Sequence, residues 1–354
     1  MPKNNSCAID ESQIDFGRLE MLNEDELSSW WRMVPGARRF TNAVAEAVDK
    51  NCAVAAHVPF TDASGFVQQL VKKISGRHVS KNVEIFKYND KGDMEDFVGA
   101  LTEKLASNFV RDFTKDSPMG DLAHQNTFGG YAIIVKLTQK LYWLTQAVAE
   151  FNKNSAHSTG SIIFVTSEDN PSPSLTRLSD YLTPYDVQFF AINLMENAQM
   201  TVQEKLYTST LAAKLAGQSA ILAKNLAKPE LLTGGIDFVK KVVPNLDARS
   251  FDRALWECQT QLLLPTLEKL RGLLIERNFA RLKNILPCPG GFGKELRDPW
   301  DMELSHLHFY GGREHLFTPN DWDTLELAYH ARNALSHLTT IEIQRLERHF
   351  AYGF

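Results

Sequence analysis

The chain is poor in cysteine, and the few it has are dispersed. Cys7, Cys52, Cys258 and Cys288 are scattered through 354 residues without a CxxC pair. That arrangement gives no basis for a disulfide framework or a cysteine zinc site, and it suits the reducing cytoplasm. Long apolar runs are also missing: none approaches the roughly 20 residues that cross a bilayer, so no membrane partner is expected. The first residues are polar and acidic, not basic and then apolar, which argues against an ordinary secretory signal. A surplus of positive charge is absent too. Lys and Arg number 38 against 43 Asp and Glu, for a formal net charge of −5. This excludes a nucleic-acid coat protein with a broadly basic surface, but not an enzyme that touches a few nucleotides locally. The hydrophobic fraction of 44% and charged fraction of 23% are those of a globular protein. The length favours two domains.

Residues 1–22 carry no sustained period and read as a tail or arm. From Glu24 a first helical stretch leads to Trp30-Trp31, and Val34-Pro35-Gly36 breaks the chain before a helix over Ala37 to Val48. Short apolar runs then alternate with helical segments. Strands are expected at Cys52–Ala56, Val83–Tyr88, Tyr131–Leu137, Ser161–Thr166 and Val187–Ile192, although the Tyr131 run could equally begin a long helix. Helices are expected at Gly65–Ile74, Met94–Phe109 and up to Phe151. Such alternation describes a parallel sheet covered on both faces. Helices follow at Val202–Leu226 and Gly235–Val242. Beyond Phe251 no convincing strand appears. Phe251–Arg281 is long and amphipathic, with Pro265 either kinking it or starting a second helix. Pro299–Tyr310, Trp322–Leu338 and Ile341–Phe350 complete a bundle of four or five helices. The expected domains are therefore an α/β domain over 23–246 and an all-α bundle over 247–354.

The α/β half lacks a phosphate loop. The pattern G-x-x-x-x-G-K-[ST] surrounds phosphates with backbone N–H groups and supplies a lysine and a magnesium-binding hydroxyl. The segment after the first strand reads Val58-Pro59-Phe60-Thr61-Asp62-Ala63-Ser64-Gly65, with one glycine and no lysine before Lys72. Lys136 stands where a magnesium-binding acid would be expected. Gly290-Gly291-Phe292-Gly293-Lys294-Glu295 is glycine-rich, but Glu295 replaces the hydroxyl. ATP hydrolysis and a nucleotide cofactor are not expected. The layout resembles the inactivated STAND-type signalling NTPases of bacterial conflict systems, on the Val34-Pro35-Gly36 turn, the strand at Cys52 and the Leu215-Ala216-Gly217 segment. The resemblance implies a degenerate P-loop-like sheet domain that senses or docks a partner.

One set of residues in the helical half carries chemistry. On the helix expected at Trp322–Leu338, Leu327, Ala331, Ala334, Leu335 and Leu338 form an apolar stripe. Arg332, Asn333 and His337 are left on the remaining arc, with Asn333 and His337 as neighbours four apart. Arg332-Asn333-x-x-x-His337 resembles the R-x(4–6)-H signature of the HEPN superfamily, whose domains are helical bundles of this size. The resemblance implies a metal-independent endoribonuclease, with no cofactor and two motifs lining one cleft of a homodimer or larger complex. His337 would move a proton between the ribose 2′-OH and the leaving 5′-oxygen, Arg332 would hold the scissile phosphate, and Asn333 would orient either. The same three residues can instead brace neighbouring helices, and non-catalytic HEPN domains act as adaptors.

Other polar groups read as supporting contacts. Glu303 and His306 share a helical face, but a single E-x-x-H without a second carboxylate set does not make a metal site. With His330 they are candidates for positions around the motif. Trp256, Gln259 and Pro265 read as core and kink positions. Trp300, Phe309, Tyr310, Phe317 and Trp322 read as bundle core and rim, with nucleotide stacking as the alternative. Lys269, Arg271, Arg277, Arg281 and Lys283 read as a solvated basic face that could guide RNA. The expected protein is a regulated endoribonuclease of a bacterial anti-phage defence or toxin system, which binds RNA through the bundle and partner defence proteins through the α/β domain. The alternative is a non-catalytic scaffold of a defence complex.

Overall fold

A computed structural model describes residues 8–9, 14–59, 63–89, 92–105, 116–167, 175–290 and 293–342. They divide into two compact units. One holds the described residues of Leu19–Leu194 and Gln218–Lys224, the other those of Met1–Arg18, Met195–Gly217 and Asn225–Phe354. The expected strand-and-helix alternation appears in the first unit, in the order α1 (Glu24–Met33), α2 (Pro35–Asp49), β1 (Ala53–His57), α3 (Ala63–Arg77), β2 (Asn82–Tyr88), α4 (Met94–Leu105), α5 (Pro118–His124), β3 (Tyr131–Leu137), α6 (Leu144–Lys153), β4 (Ser161–Thr166), β5 (Leu175–Arg177) and α7 (Pro184–Leu194).

The five strands form one sheet in the order β2-β3-β4-β1-β5, and every pairing is parallel. Parallel crossovers cover both faces with helices, so the central strands must be apolar throughout. β4 is buried at all six positions, and the edge strand β2 has a partly exposed pattern. Successive residues point to opposite faces. Ile133, Val135, Ile162 and Phe164 join one core with Phe97 of α4 and Phe151 of α6. A second aromatic cluster joins Trp31, Phe40 and Phe66 from α1, α2 and α3.

The Val34-Pro35-Gly36 turn has a packing cause. The buried Asp186 carboxylate accepts hydrogen bonds from the Gly36 N–H at 2.8 Å and from the Thr183 N–H and hydroxyl at 2.8 and 2.7 Å. It thereby satisfies a free donor at the start of α2 and favours the positive end of that helix. A Cβ at Gly36 would lie 2.6 Å from the Tyr181 carbonyl oxygen, so only glycine admits this approach.

The strand expected at Val187–Ile192 is part of helix α7. Its apolar run is preceded by Thr183-Pro184-Tyr185-Asp186, a proline opening the helix and a reciprocal Thr183–Asp186 capping pair, and these start signals override the apolar run. The fifth strand is β5, too short to show a period. Residues 106–109 of the expected fourth helix lie outside the described residues, as do Phe60, Thr61 and Asp62 of the segment after β1. Gly65 lies inside α3, where a Cβ would sit 2.9 Å from the Trp31 ring. It is a packing glycine.

The second unit is largely helical: α8 (Val202–Ala216), the end of α9 (Ala220–Leu226), α10 (Glu230–Val242), α11 (Ala248–Asn284), α12 (Leu304–Glu314) and α13 (Pro319–Ser336). The long helix expected from Val202 ends at Gly217, whose φ of 61° terminates α8. The helix expected from Gly235 starts at Glu230 and is broken at Gly235, where φ is 48°. Pro265 does not divide α11, which continues for 37 residues. The segment between α11 and α12 contains two strands where none was expected. β6 (Cys288–Pro289) and β7 (Glu295–Leu296) pair antiparallel, so Glu295 of the glycine-rich segment belongs to a strand, and residues 291–292 lie outside the described residues. Pro299–Asp301 is a 3-10 turn that precedes α12, not part of one helix. Of the expected final helix, residues 343–350 lie outside the described residues.

α11 holds α13 along its length. Near the start of α13, Asp321 receives Arg277 Nη1 and Asn278 Nδ2, each at 3.3 Å. Near its end, Trp256 Nε1 donates to the Leu335 carbonyl at 2.8 Å. α12 closes on the same helix: the His308 ring lies 4.1 Å from that of Tyr329 at 9° and 5.1 Å from that of Trp322.

Two consequences can be measured. Gly36→Ala is expected to lower stability by about 1–3 kcal/mol through overpacking, read as a reduced urea midpoint; an unchanged midpoint would show that the turn tolerates a side chain. The second concerns His308. Burial holds its pKa below the usual histidine value, with Glu326 opposing the shift and His330 adding to it. Its Nε2 has no hydrogen-bond partner among the described residues. Between the folded and unfolded pKa values the unfolded chain binds more protons. The stabilisation is therefore complete above the ordinary value of about 6.5 and is lost as pH falls through the lower folded one. The urea midpoint should drop more in wild type than in His308→Phe between about pH 7.5 and 5.5. Equal drops would remove the histidine as the cause.

Candidate functional site

The site is built on the end of α13 and the turn before α12. Thr318 caps α13 by accepting the Asp321 N–H at 3.2 Å, and Pro319 opens the helix. Its buried positions are Asp321, Leu325, Ala328, Ala331 and Leu335. The stripe is thus shifted from the expected one. Leu327 and Ala334 are only half-buried, and Leu338 lies beyond the helix at φ 57° and 71% exposed. The displacement turns Arg332 toward α12.

Arg332 Nη2 lies 3.4 Å from Glu303 Oε2. The Glu303 N–H donates to His306 Nδ1 at 3.1 Å, so the neutral His306 ring carries its proton on Nε2. Arg332, Glu303 and His306 therefore come together. Asn333 is half-buried and His337 is exposed. His337 is the C-cap of α13, where its N–H donates to the carbonyls of Asn333 and Ala334, both at 3.1 Å. No side-chain hydrogen bond joins Asn333 or His337 to Arg332 among the described residues. His330 is exposed and lies beside His308, with ring centroids 6.2 Å apart.

Arg332 lines a cavity of about 240 Å³ with Glu268, Arg271, Trp300, Asp301, Glu303 and Leu304. Arg271 braces one wall: Nε meets Glu268 Oε2 at 2.9 Å, and Nη1 donates to the Trp300 and Met302 carbonyls at 3.2 and 3.1 Å. Asp298 accepts the Trp300 N–H at 2.9 Å and so shapes the turn that carries Trp300 and Asp301. Trp300 remains 45% exposed. Glu268 and Asp301 were not singled out from the sequence. The available signals were the i,i+3 spacing of Glu268 and Arg271 and the Asp-Pro turn before Trp300.

Several residues of the expected basic face of α11 have structural partners. Arg271 holds the turn, Arg277 pairs with Asp321 at 3.3 Å, and Arg281 donates to the Leu316 carbonyl at 2.9 Å. No group of three or more side chains able to hold a metal ion occurs among the described residues. No described helix is long and apolar enough to cross a membrane.

No protein-family profile matches the chain, and no curated protein is significantly similar to it in sequence. Among solved structures, that of Drosophila ORC bound to DNA aligns over 95% of this chain and 86% of the other, at 12% identity and a TM-score of 0.33. At that level neither fold nor function follows from the likeness.

Proposed function

We propose that the protein is a regulated, metal-independent endoribonuclease of HEPN type, acting in a bacterial anti-phage defence or toxin system. The observation that supports this reading is Arg332 lining a cavity while His337 stands exposed at the end of the same helix. An arginine fork suits a phosphodiester. The exchangeable proton of an imidazole suits transfer from the 2′-OH, as that oxygen attacks phosphorus, and to the 5′-oxygen as it leaves. Two copies of the chain would supply two such motifs. Asn333, next to Arg332, would orient the phosphate or the imidazole. Glu303 and His306 would position Arg332, and His330 would serve from the outer flank.

The α/β unit is proposed to be a degenerate P-loop-like module that docks a partner defence protein. In the sheet order, β1 and β4 are neighbours whose onward connections run in opposite directions, the place where ligands bind in open α/β sheets. The sequence there offers Pro59 and a packing glycine, not a phosphate loop.

A second reading has its own observation. The Arg332 side chain is engaged by Glu303, and His337 does not line the cavity. A scaffold that has lost catalysis accommodates both facts.

The test is RNA cleavage in the presence of a chelator by wild type, Arg332→Ala and His337→Ala, with and without candidate activators. Each substitution is expected to reduce the rate by at least about 100-fold, the lower range for loss of a positioned acid–base group. Equal activity in all three removes the nuclease reading. Intact biological function in His337→Ala, with loss on altering the α/β surface, establishes the scaffold.

A further inference from the structure

The charges around the Arg332 cavity do not suit a site that binds phosphate alone. Three carboxylates, Glu268, Asp301 and Glu303, face two guanidinium groups. Two of those carboxylates are matched: Glu268 by Arg271 at 2.9 Å and Glu303 by Arg332 at 3.4 Å. Asp301 is not. It is exposed, and its carboxylate makes no ion pair or hydrogen bond among the described residues. The next residue back is Trp300, 45% exposed, with the edge of its ring beside α11 at Gly272, where a Cβ would lie 3.7 Å from Cζ3. Buried Leu304 completes the lining. The cavity thus offers a half-exposed indole, an unmatched acceptor pair and a guanidinium held only by an exposed ion pair.

We propose that this cavity binds a guanine base of single-stranded RNA, stacked on Trp300 and read by Asp301, with Arg332 on the adjoining phosphate. A ligand that uses all three groups would pair with a carboxylate, lie flat on an indole and bring an anion to Arg332. Among the RNA bases, guanine presents two neighbouring N–H donors on one edge, N1–H and the N2 amino group, which match the two oxygens of a carboxylate. Unstacked RNA bases are recognised through stacking on aromatic rings and hydrogen bonds to such edges. Cytosine and adenine each offer one amino donor with an acceptor beside it, and the acceptor would face the carboxylate. A guanidinium from a basic peptide would satisfy Asp301 but would be repelled by Arg332 and leave it without an anion. The Glu303–Arg332 pair does not block the phosphate. An ion pair this exposed, with side chains 41% and 63% accessible, is weak because water screens it, and a phosphate accepts the same fork.

The inference rests on the RNA-binding part of the function proposed above, and it is tested without cleavage. The probes are labelled 2′-O-methyl uridine decamers carrying one central guanine, adenine or cytosine, which cannot undergo 2′-OH attack. Anisotropy with the full chain is expected to show the guanine probe binding about tenfold tighter, within the discrimination a bidentate contact gives. Asp301→Asn is expected to abolish that preference. Trp300→Ala is expected to weaken all probes about tenfold, the scale of one lost stacking contact. Thermal melting of both variants identifies any that fail to fold, and Trp300→Phe, which keeps a stacking face, should retain most of the affinity. Equal affinity for the probes in wild type, or a preference unchanged in Asp301→Asn, overturns the proposal. So does binding of an arginine-rich peptide in preference to every oligonucleotide. Guanine preference in a protein that cleaves no ordinary RNA leaves the pocket standing and removes the nuclease. Cleavage without base preference does the reverse.

Discussion

A wholly buried amide determines where α13 ends and how the chain leaves it. Gln259 of α11 is 0% exposed. Its Nε2 donates to the Ile341 carbonyl at 2.8 Å, and its Oε1 accepts the Ile341 N–H at 2.7 Å. The same Nε2 meets the Tyr207 hydroxyl at 3.1 Å. Buried polar groups left without partners cost about 1–3 kcal/mol each, so replacing Gln259 would expose several such costs together. Trp256, one turn before it, donates to the Leu335 carbonyl at the end of α13, which also accepts the Leu338 N–H at 3.3 Å. Between these two anchors lie Ser336, His337, Leu338, Thr339 and Thr340. His337 is therefore held at the end of the helix between two contacts from α11.

How much of this was legible in the sequence depends on the length and contrast of each pattern. β4 reads as a strand because Ile162, Ile163, Phe164 and Val165 form an apolar run bounded by polar residues, and it is buried throughout. Val187–Ile192 has the same look but is helical, because Thr183, Pro184 and Asp186 supply a start signal that hydrophobicity alone does not register. The motif helix was readable as a helix, whereas its facing was not. Leu338 has the right spacing for the stripe, but the chain turns into the left-handed region there and removes it. Arg271, Arg277 and Arg281 read as a basic face because their partners, two backbone carbonyls of one turn, Asp321 and Leu316, are remote in sequence or belong to the main chain. No periodicity encodes such contacts.

The cavity escaped the sequence reading for a related reason. Glu268 and Arg271 come from the middle of α11, Trp300 to Leu304 from the turn and start of α12, and Arg332 from α13. The last two segments are joined by pairing of opposite charges across helices, the kind of contact that spacing within one helix cannot show. Within α11, however, the Glu268–Arg271 pair is local, and it is what frees the remaining Nη1 of Arg271 to hold two carbonyls of the turn. One arginine thus fixes the platform on which Trp300 and Asp301 stand, and another, Arg332, completes it from the opposite helix. The division is asymmetric: Arg271 is largely covered, at 23% exposure, and Arg332 is more open, at 41%. The covered guanidinium supports the platform, and the open one remains exchangeable.

That asymmetry bears on how a chain of net charge −5 could hold RNA at all. Non-specific affinity for a polyanion comes mainly from releasing counterions as basic side chains meet phosphates, and it scales with the number of such contacts. Arg271, Arg277 and Arg281 each meet a partner within the protein, although Arg277 stays 60% exposed, and the chain as a whole has no surplus of cations with which to track a backbone. The proposed binding would instead draw on contacts that a duplex or a bare polyanion cannot make: a stacked base and a matched edge, with one phosphate beside them. In the proposed complex, an open guanidinium beside an indole and an unmatched carboxylate would favour a particular base in an unpaired strand over the indiscriminate coating of nucleic acid, which a net charge of −5 already disfavours.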